Sequence, residues 1–230
     1  MKRSIAVGKE DRRPMHTNLL SAASPEQLSR RERQKAETRE CLYRAALKLF
    51  AERGLAATTV EDITKAAGVA KGTFFNHFRA KEEVFSVFIE IQVGKVASAV
   101  QDARQARDST KAVLHQLFRR LAEEFGHDAN LTRALLSSIF LNETARELMA
   151  QGMAGARQAL TKLIAPGQER GDIRADRKAD AIALAFQRAM LGAVVVWVIR
   201  AEGRLSSRLD VSFSDFWAAV ATRVKEGSSR

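Results

Sequence analysis

Apolar residues recur at intervals of three and four along most of the chain after residue 28, which is the spacing of one face of an α-helix. The first such stripe consists of Leu42, Ala45, Ala46, Leu49 and Phe50. Ser29 with Glu32 three residues later has the form of a capping box, and Gly54 provides a stop. These signals predict a first helix that begins after Ser29 and ends at Gly54.

Two shorter helical patterns follow at once. The sequence TTVE at 58–61 has the form of a second capping box, with Thr58 as the cap, and Gly68 can take the left-handed conformation that ends this helix. A third helix is predicted over 71–77, with Phe74 and Phe78 assigned to its buried face. Two helices of about two turns joined by a glycine-bearing turn form a helix-turn-helix, which we predict over about 59–78.

Longer helices are predicted after residue 81. Their approximate bounds are 84–105, 111–125, 131–140, 143–164 with a break at Pro166-Gly167, 178–201 and 212–224. The whole pattern predicts an all-α fold of about nine helices. It divides into a mobile N-terminal tail at 1–28, a helix-turn-helix domain at 29–80 and a helical regulatory and dimerisation domain at 81–226.

Composition narrows the class of protein. The apolar share of 46% suits a soluble globular chain, and the net charge of +11 attracts polyanions, either nucleic acid or an anionic membrane surface. The basic residues near the start of the first helix are Arg30, Arg31, Arg33, Lys35 and Arg39. The apolar run at 189–199 falls short of the roughly 18 residues of a membrane span, so no membrane contact is expected.

Residue types that usually form disulfides, metal sites or catalytic sites show no such arrangement in this sequence. The single cysteine, Cys41, excludes an intrachain disulfide and fits a cytoplasmic protein; we interpret it as a buried thiol of the first helix rather than a redox sensor. The four histidines lack metal-ligand spacing, and the chain has no nucleophile elbow, triad or glycine-rich phosphate loop. We therefore predict no catalytic residues, metal or cofactor, and an α-helical enzyme is the least favoured alternative.

The helix-turn-helix carries a more specific signal. The segment from Thr58 to Lys81, TTVEDITKAAGVAKGTFFNHFRAK, resembles the signature of the tetracycline-repressor (TetR) family, within a similarity that spans 35–88. Two positions depart from the pattern: Ala70 replaces a frequent capping serine, and Phe75 replaces a frequent tyrosine whose hydroxyl can reach a phosphate. The resemblance implies a cytoplasmic homodimer that binds a palindromic operator in double-stranded DNA, most often as a repressor released by a small molecule.

Candidate DNA contacts follow from side-chain chemistry on this motif. Hydroxyls near helix N-termini and lysines suit phosphate, Asn76 and His77 can reach base edges, and Gly72 allows close approach of the backbone. The predicted DNA-binding residues are Lys35, Thr58, Thr59, Lys71, Gly72, Thr73, Phe75, Asn76, His77 and Lys81.

The last two thirds of the chain suggest two further features. The second half of the helix at 178–201 is apolar on most faces and must be buried, either by a second copy of the chain or as the central helix of a monomer. Large apolar side chains either form plain core or line a pocket for a hydrophobic or aromatic effector; the candidates for such a pocket are Phe118, Phe140, Met149, Met153 and Phe186. A DNA-binding protein without an effector is the alternative to this regulator.

Overall fold

The computed structural model describes residues 29–105, 109–126, 129–200 and 203–222, and these are helical nearly throughout. The α-helices in these ranges are α1 (Arg30–Arg53), α2 (Val60–Ala67), α3 (Lys71–Phe75), α4 (Phe85–Gln105), α5 (Thr110–Gly126), α6 (Ala129–Leu141), α7 (Glu143–Glu169), α8 (Ala179–Arg200) and α9 (Leu205–Val220). A short 3-10 helix, Lys81–Val84, leads into α4. The predicted all-α fold is confirmed. The predicted tail at 1–28 and the last residues of the predicted regulatory domain lie outside the described residues.

The ends of α1 are set by the residues that the sequence indicates. The Ser29 hydroxyl accepts the Glu32 N–H at 3.3 Å, and the Glu32 carboxylate accepts the Ser29 N–H at 2.9 Å. Gly54, with φ of 82°, ends the helix in a conformation that L side chains rarely adopt. The capping box and the glycine stop are both confirmed.

The cap of α2 lies one residue later than predicted. Thr59, not Thr58, is the N-cap: its hydroxyl accepts the Asp62 N–H at 3.1 Å, and Asp62 accepts the Thr59 N–H at 3.0 Å. Thr58 is fully buried, and its hydroxyl donates to the Gly54 carbonyl at 2.8 Å. This hydroxyl therefore stabilises the turn before α2 and does not cap the helix. The hydrogen bonds from Thr59, with Arg53 beside the carboxylate, lower the pKa of Asp62 to about 2.

The first three helices share one apolar core with the rest of the chain. Ile63, Phe74 and Phe78 are buried, as predicted for the two phenylalanines, and the Phe74 and Phe78 rings lie 5.4 Å apart. The Phe50 ring of α1 lies 5.4 Å from that of Phe85 at the start of α4. Packing therefore ties α1 to α4, and α1 in turn contacts α2 of the helix-turn-helix.

Cys41 is exposed, against the expectation of a buried thiol. The buried face of α1 runs through Leu42, Ala46 and Phe50. A helix turns by about 100° per residue, so the position before Leu42 points away from this face. The Cys41 sulfur instead lies 3.6 Å from the Ala67 carbonyl of α2.

Two later helices differ from their predicted bounds. Pro166 lies inside α7 rather than at a break, because the Arg170 N–H still reaches the Pro166 carbonyl at 3.0 Å and closes another turn before Gly171, where φ is 79°. α9 begins at Leu205, well before residue 212. The missed signal is a stripe that starts earlier than expected, and its buried members are Leu205, Leu209, Phe213, Phe216 and Val220.

α8 is the most apolar of the long helices. By length and composition it is the one helix in the described ranges that could cross a membrane, although only a shorter apolar run was expected there. Its buried side chains, among them Phe186, Val194 and Val198, pack within the protein, and α7 and α9 lie against it. The core helix of a soluble protein meets the same criteria, so α8 carries little evidence for a membrane.

α4 and α7 approach each other closely at Gly152. A Cβ atom at this position would lie 2.2 Å from Cγ2 of Ile89 on α4, far inside van der Waals contact. Gly155, one turn along α7, has nothing within 4 Å of such an atom. The absence of a side chain at Gly152 thus sets the spacing of the two helices.

We expect Gly152→Ala to lower the free energy of unfolding by about 1–3 kcal/mol, the usual cost of overpacking. Gly155→Ala is the matched control and should raise it by up to about 1 kcal/mol through helix propensity. Urea denaturation followed by circular dichroism measures both. Equal effects of the two substitutions would show that the α4–α7 contact tolerates a side chain at Gly152.

Candidate nucleic-acid interface and apolar cavity

α3 presents one face to solvent and buries the other. Lys71, Gly72, Phe75 and Asn76 are exposed, whereas Phe74 is buried. Phe75 is 50% exposed and its ring meets that of Phe74 edge-on, so the inner ring supports the outer one. A Cβ atom at Gly72 would have nothing within 4 Å, so packing inside the chain does not require glycine there. Four of the predicted contacts, Lys71, Gly72, Phe75 and Asn76, are therefore accessible.

The start of α3 has no side-chain cap. Ala70 is the N-cap residue and makes no side-chain hydrogen bond, as its methyl group requires. Half-buried Thr73 is the third residue of the helix, and its N–H donates to the Ala70 carbonyl at 2.9 Å. Lys71 forms an exposed ion pair with Glu61 of α2. Such surface pairs contribute little, so phosphate can compete for this ammonium group.

The two threonines before α2 differ in access. Thr59 is exposed at the N-cap, where backbone N–H groups favour anions, although its hydroxyl also donates to Asp62 at 2.6 Å. Thr58 is buried and its hydroxyl is already donated to a carbonyl. The structure thus places Thr59, but not the Thr58 side chain, where a phosphate could reach.

Lys81 has an internal role. Its ammonium group donates to the carbonyls of Leu55 and Thr58 at 2.8 Å and of Ala56 at 3.3 Å. A lysine has three N–H donors, so these bonds use all of them. Lys81 holds the turn between α1 and α2 against the 3-10 helix, a role that its position in the sequence does not reveal.

His77 lies half-buried behind the exposed face of α3. Its Nδ1 atom is buried and, among the described residues, has no hydrogen-bond partner. Burial lowers the pKa of His77, and the positive charges of Lys35 and Arg39 lower it further. The ring is therefore neutral near pH 7 and sits beside exposed Lys35, another predicted contact.

Arg39 connects this surface to α4. Its guanidinium group binds Glu90 of α4 through two bonds of 2.7 Å and lies 5.4 Å from the centre of the Phe78 ring. A bidentate pair fixes orientation as well as distance. In the sequence Arg39 is only one of several basic residues, and no local pattern indicates a partner 51 positions away.

We expect His77 to make the protein less stable as the pH falls from 7.5 to 5.5. The unfolded chain takes up a proton near the ordinary pKa of 6.5 while the folded chain resists it, so protonation favours unfolding in this window. His77→Gln should lose less stability than the parent over the same range in urea denaturation. An identical loss in both proteins would show that the buried ring does not contribute.

An apolar cavity of about 210 Å³ lies between α4, α5, α6, α7 and α8. Four of the five predicted pocket residues line it, namely Phe140, Met149, Met153 and Phe186. Phe118 does not; it is fully buried in the core, where its ring contacts those of Phe186 at 5.1 Å and Phe213 at 5.6 Å. Phe140 is 70% exposed, so it stands at an edge of the cavity rather than deep inside.

The cavity wall holds two polar side chains that the sequence pattern does not reveal as a pair. These are Gln92 of α4 and Gln187 of α8, and every other lining residue among those described is apolar or glycine. Gln187 is buried and donates to the Met153 carbonyl at 2.8 Å. Polar residues on two helices so far apart in sequence can be recognised as neighbours only from the fold.

Together, α2, the left-handed turn at Gly68 and the exposed α3 define the chain as a helix-turn-helix protein. The family model for bacterial regulatory proteins of the tetR family matches residues 42–87, which span this unit.

Relatives extend the similarity beyond the motif. The chain is 31% identical to the HTH-type transcriptional regulator TcmR of Streptomyces glaucescens over 194 residues, which cover 80% of this chain and 82% of TcmR. The chain therefore belongs to the TetR family.

Other similarities are shorter or concern the fold alone. A match of 38% identity to the repressor KstR2 of Rhodococcus jostii covers 35% of this chain and 41% of KstR2, so it spans less than half of that relative. The crystal structure of Thermus thermophilus FadR with lauroyl-CoA aligns over 84% of this chain and 98% of FadR, with 23% identity and a TM-score of 0.61.

Proposed function

We propose that this protein is a transcription regulator that binds operator DNA as a homodimer, acts as a repressor and is released by a hydrophobic small molecule. The observation that carries the proposal is the exposed α3 on a helix-turn-helix of this family, with Gly72 free of any internal packing requirement. The second helix of such a motif lies in the major groove, where base edges can be distinguished.

The residues proposed for DNA binding fall into four groups. Asn76 and Phe75 lie on the exposed face of α3 and would meet base edges or thymine methyl groups, whereas Lys35, Thr59 and Lys71 would hold phosphates. Thr73 and His77 are partly buried and would contribute at the margin of this surface. Thr58 and Lys81 would act indirectly, because they fix the turn that positions α2.

We expect Asn76→Ala to weaken operator binding by about 1–3 kcal/mol and to relax base preference at one position of each half-site. Lys71→Ala should weaken binding to all sequences and reduce the slope of log affinity against log salt by about one per site. Fluorescence anisotropy with an operator selected from random duplexes measures both effects.

Lys162→Ala is the control for charge, because Lys162 is exposed on α7. Lys81→Ala is unsuitable, since it removes internal hydrogen bonds. If Asn76→Ala and Lys71→Ala bind like the parent, the proposed interface is wrong.

An apolar surface on α8 and α9 supports the dimer. Val196 is 46% exposed and Ile199 75% exposed on α8, and Val211 is 64% exposed on α9. The two helices pack against each other, so these side chains belong to neighbouring elements. A second copy that covers them in the same way would form a symmetric four-helix contact, and it would place two α3 helices on the half-sites of a palindrome.

Substitution Ile199→Glu is expected to convert the dimer to a monomer, because symmetry buries two new carboxylates in one apolar contact. Light scattering after size exclusion gives the mass, and circular dichroism shows that the helices persist. Leu141→Glu is the control, since Leu141 is 87% exposed on α6. A dimer that survives Ile199→Glu with parental affinity would place the contact elsewhere.

The effector is assigned to the apolar cavity. FadR, a protein of the same fold, holds lauroyl-CoA. Here Phe88, Ile89 and Gln92 of α4 contribute to the cavity wall, and Glu90 of the same helix binds Arg39 of α1. A ligand that prefers one position of α4 would shift the helix-turn-helix with it, to the extent of its differential affinity.

A regulator without an effector remains the alternative function, and it shares the DNA-binding surface. A compound that binds the cavity and leaves operator affinity unchanged would favour this alternative.

A further inference from the structure

Gln92 is the unusual residue of the cavity wall. Both polar atoms of its side-chain amide are buried, and neither has a hydrogen-bond partner among the described residues. Leaving a buried donor or acceptor unpaired carries the full cost of removing it from water. Packing alone would favour an apolar side chain at this position on α4.

Gln187 shows that the fold can satisfy an amide in the same wall. Its amide nitrogen donates to the Met153 carbonyl of α7 at 2.8 Å. The amide of Gln92 has no such arrangement, although it lines the same cavity. The two glutamines therefore differ: Gln187 joins two helices, whereas the amide of Gln92 is left unpaired in the wall of the cavity.

The rest of the wall restricts the charge of a ligand. None of the described residues that line the cavity has an ionisable side chain. A carboxylate or an ammonium group placed there would lose its hydration without gaining a counter-charge, which is far more costly than burying an amide or a hydroxyl. The buried end of the ligand is thus neutral.

We propose that the cavity binds a neutral aromatic or aliphatic molecule through a hydroxyl or carboxamide group that pairs with the amide of Gln92. Such a group can donate to the Gln92 carbonyl oxygen, accept from its N–H, or do both. The inference rests on the proposed function only in taking this cavity as the effector site. It makes Gln92 the residue that determines specificity among hydrophobic compounds.

Naphthyl compounds are suitable probes. Aromatic walls at Phe88, Phe125 and Phe186 favour a ring system, and an apolar cavity of roughly 150 Å³ already accommodates benzene. With about 210 Å³ available, two fused rings are a reasonable size. The series 2-naphthol, 2-naphthamide, naphthalene and 2-naphthoate keeps the rings and varies only the polar group.

The experiment measures the affinity of these four compounds for the full chain without DNA, by isothermal titration calorimetry at pH 7.5. We expect 2-naphthol and 2-naphthamide to bind about 10-fold more tightly than naphthalene and 2-naphthoate, within the range that one satisfied buried group provides. Gln92→Met keeps an unbranched side chain and removes the amide, so the preference should disappear.

Two further measurements separate a binding role from a structural one. Without ligand, Gln92→Met should raise the Tm, because an unpaired amide is replaced by an apolar group. Gln187→Met is the matched control in the same wall, and it should lower the Tm because it breaks the bond to Met153. A Tm that falls equally in both variants would show that Gln92 has a structural partner, and it would overturn the proposal.

The remaining outcomes are equally decisive. Retention of the preference in Gln92→Met, binding of 2-naphthoate as tightly as 2-naphthol, or failure of all four compounds to bind would each overturn the inference. Operator release is measured separately by anisotropy. Binding that depends on Gln92 without operator release would leave this inference intact and count against the effector-controlled function.

Discussion

The close contact between α4 and α7 is the constraint on which the rest of the arrangement depends. Gly152 lets Ile89 approach so closely that a single added carbon would collide with it. On another face of α4, Glu90, the next residue, is held by the guanidinium group of Arg39. α4 therefore contacts α7 through apolar packing and α1 through a directional ion pair. Because both contacts fall on adjacent residues, a displacement of α4 at one cannot leave the other unchanged.

Local patterns predicted the helices well because the signals are themselves local. The capping box at Ser29, the stop at Gly54 and the left-handed Gly68 each involve residues within one turn, and all lie where the sequence indicates. The cap of α2 shifted by one residue because two threonines compete for the position, and the turn buries Thr58. The start of α9 was predicted too late because its first turn bears only one large apolar residue, Leu205.

The contacts of the candidate site were harder to predict than the helices, because most of them join residues that are far apart in the sequence. Accessibility of α3 follows from the alternation of Phe74 and Phe75 around a short helix, which periodicity captures. Lys81 and Arg39, however, donate hydrogen bonds to residues 23 to 51 positions away. The sequence around a charged residue does not indicate such a distant partner. The same holds for Phe118: its size suggested a cavity wall, but which face of α5 meets Phe213 is decided by tertiary packing.

The absence of ionisable side chains from the described lining of the cavity has a thermodynamic consequence. A neutral guest held there exchanges neither protons nor counterions with the solution, so its occupancy is insensitive to pH and to ionic strength. A basic surface at α1 and α3 behaves in the opposite way toward a polyanion, because every phosphate it neutralises releases ions. Under the proposed function, the chain would thus separate two signals by their solution chemistry: binding in the cavity would depend on the concentration of neutral hydrophobic compounds, and binding to DNA would also depend on the salt concentration.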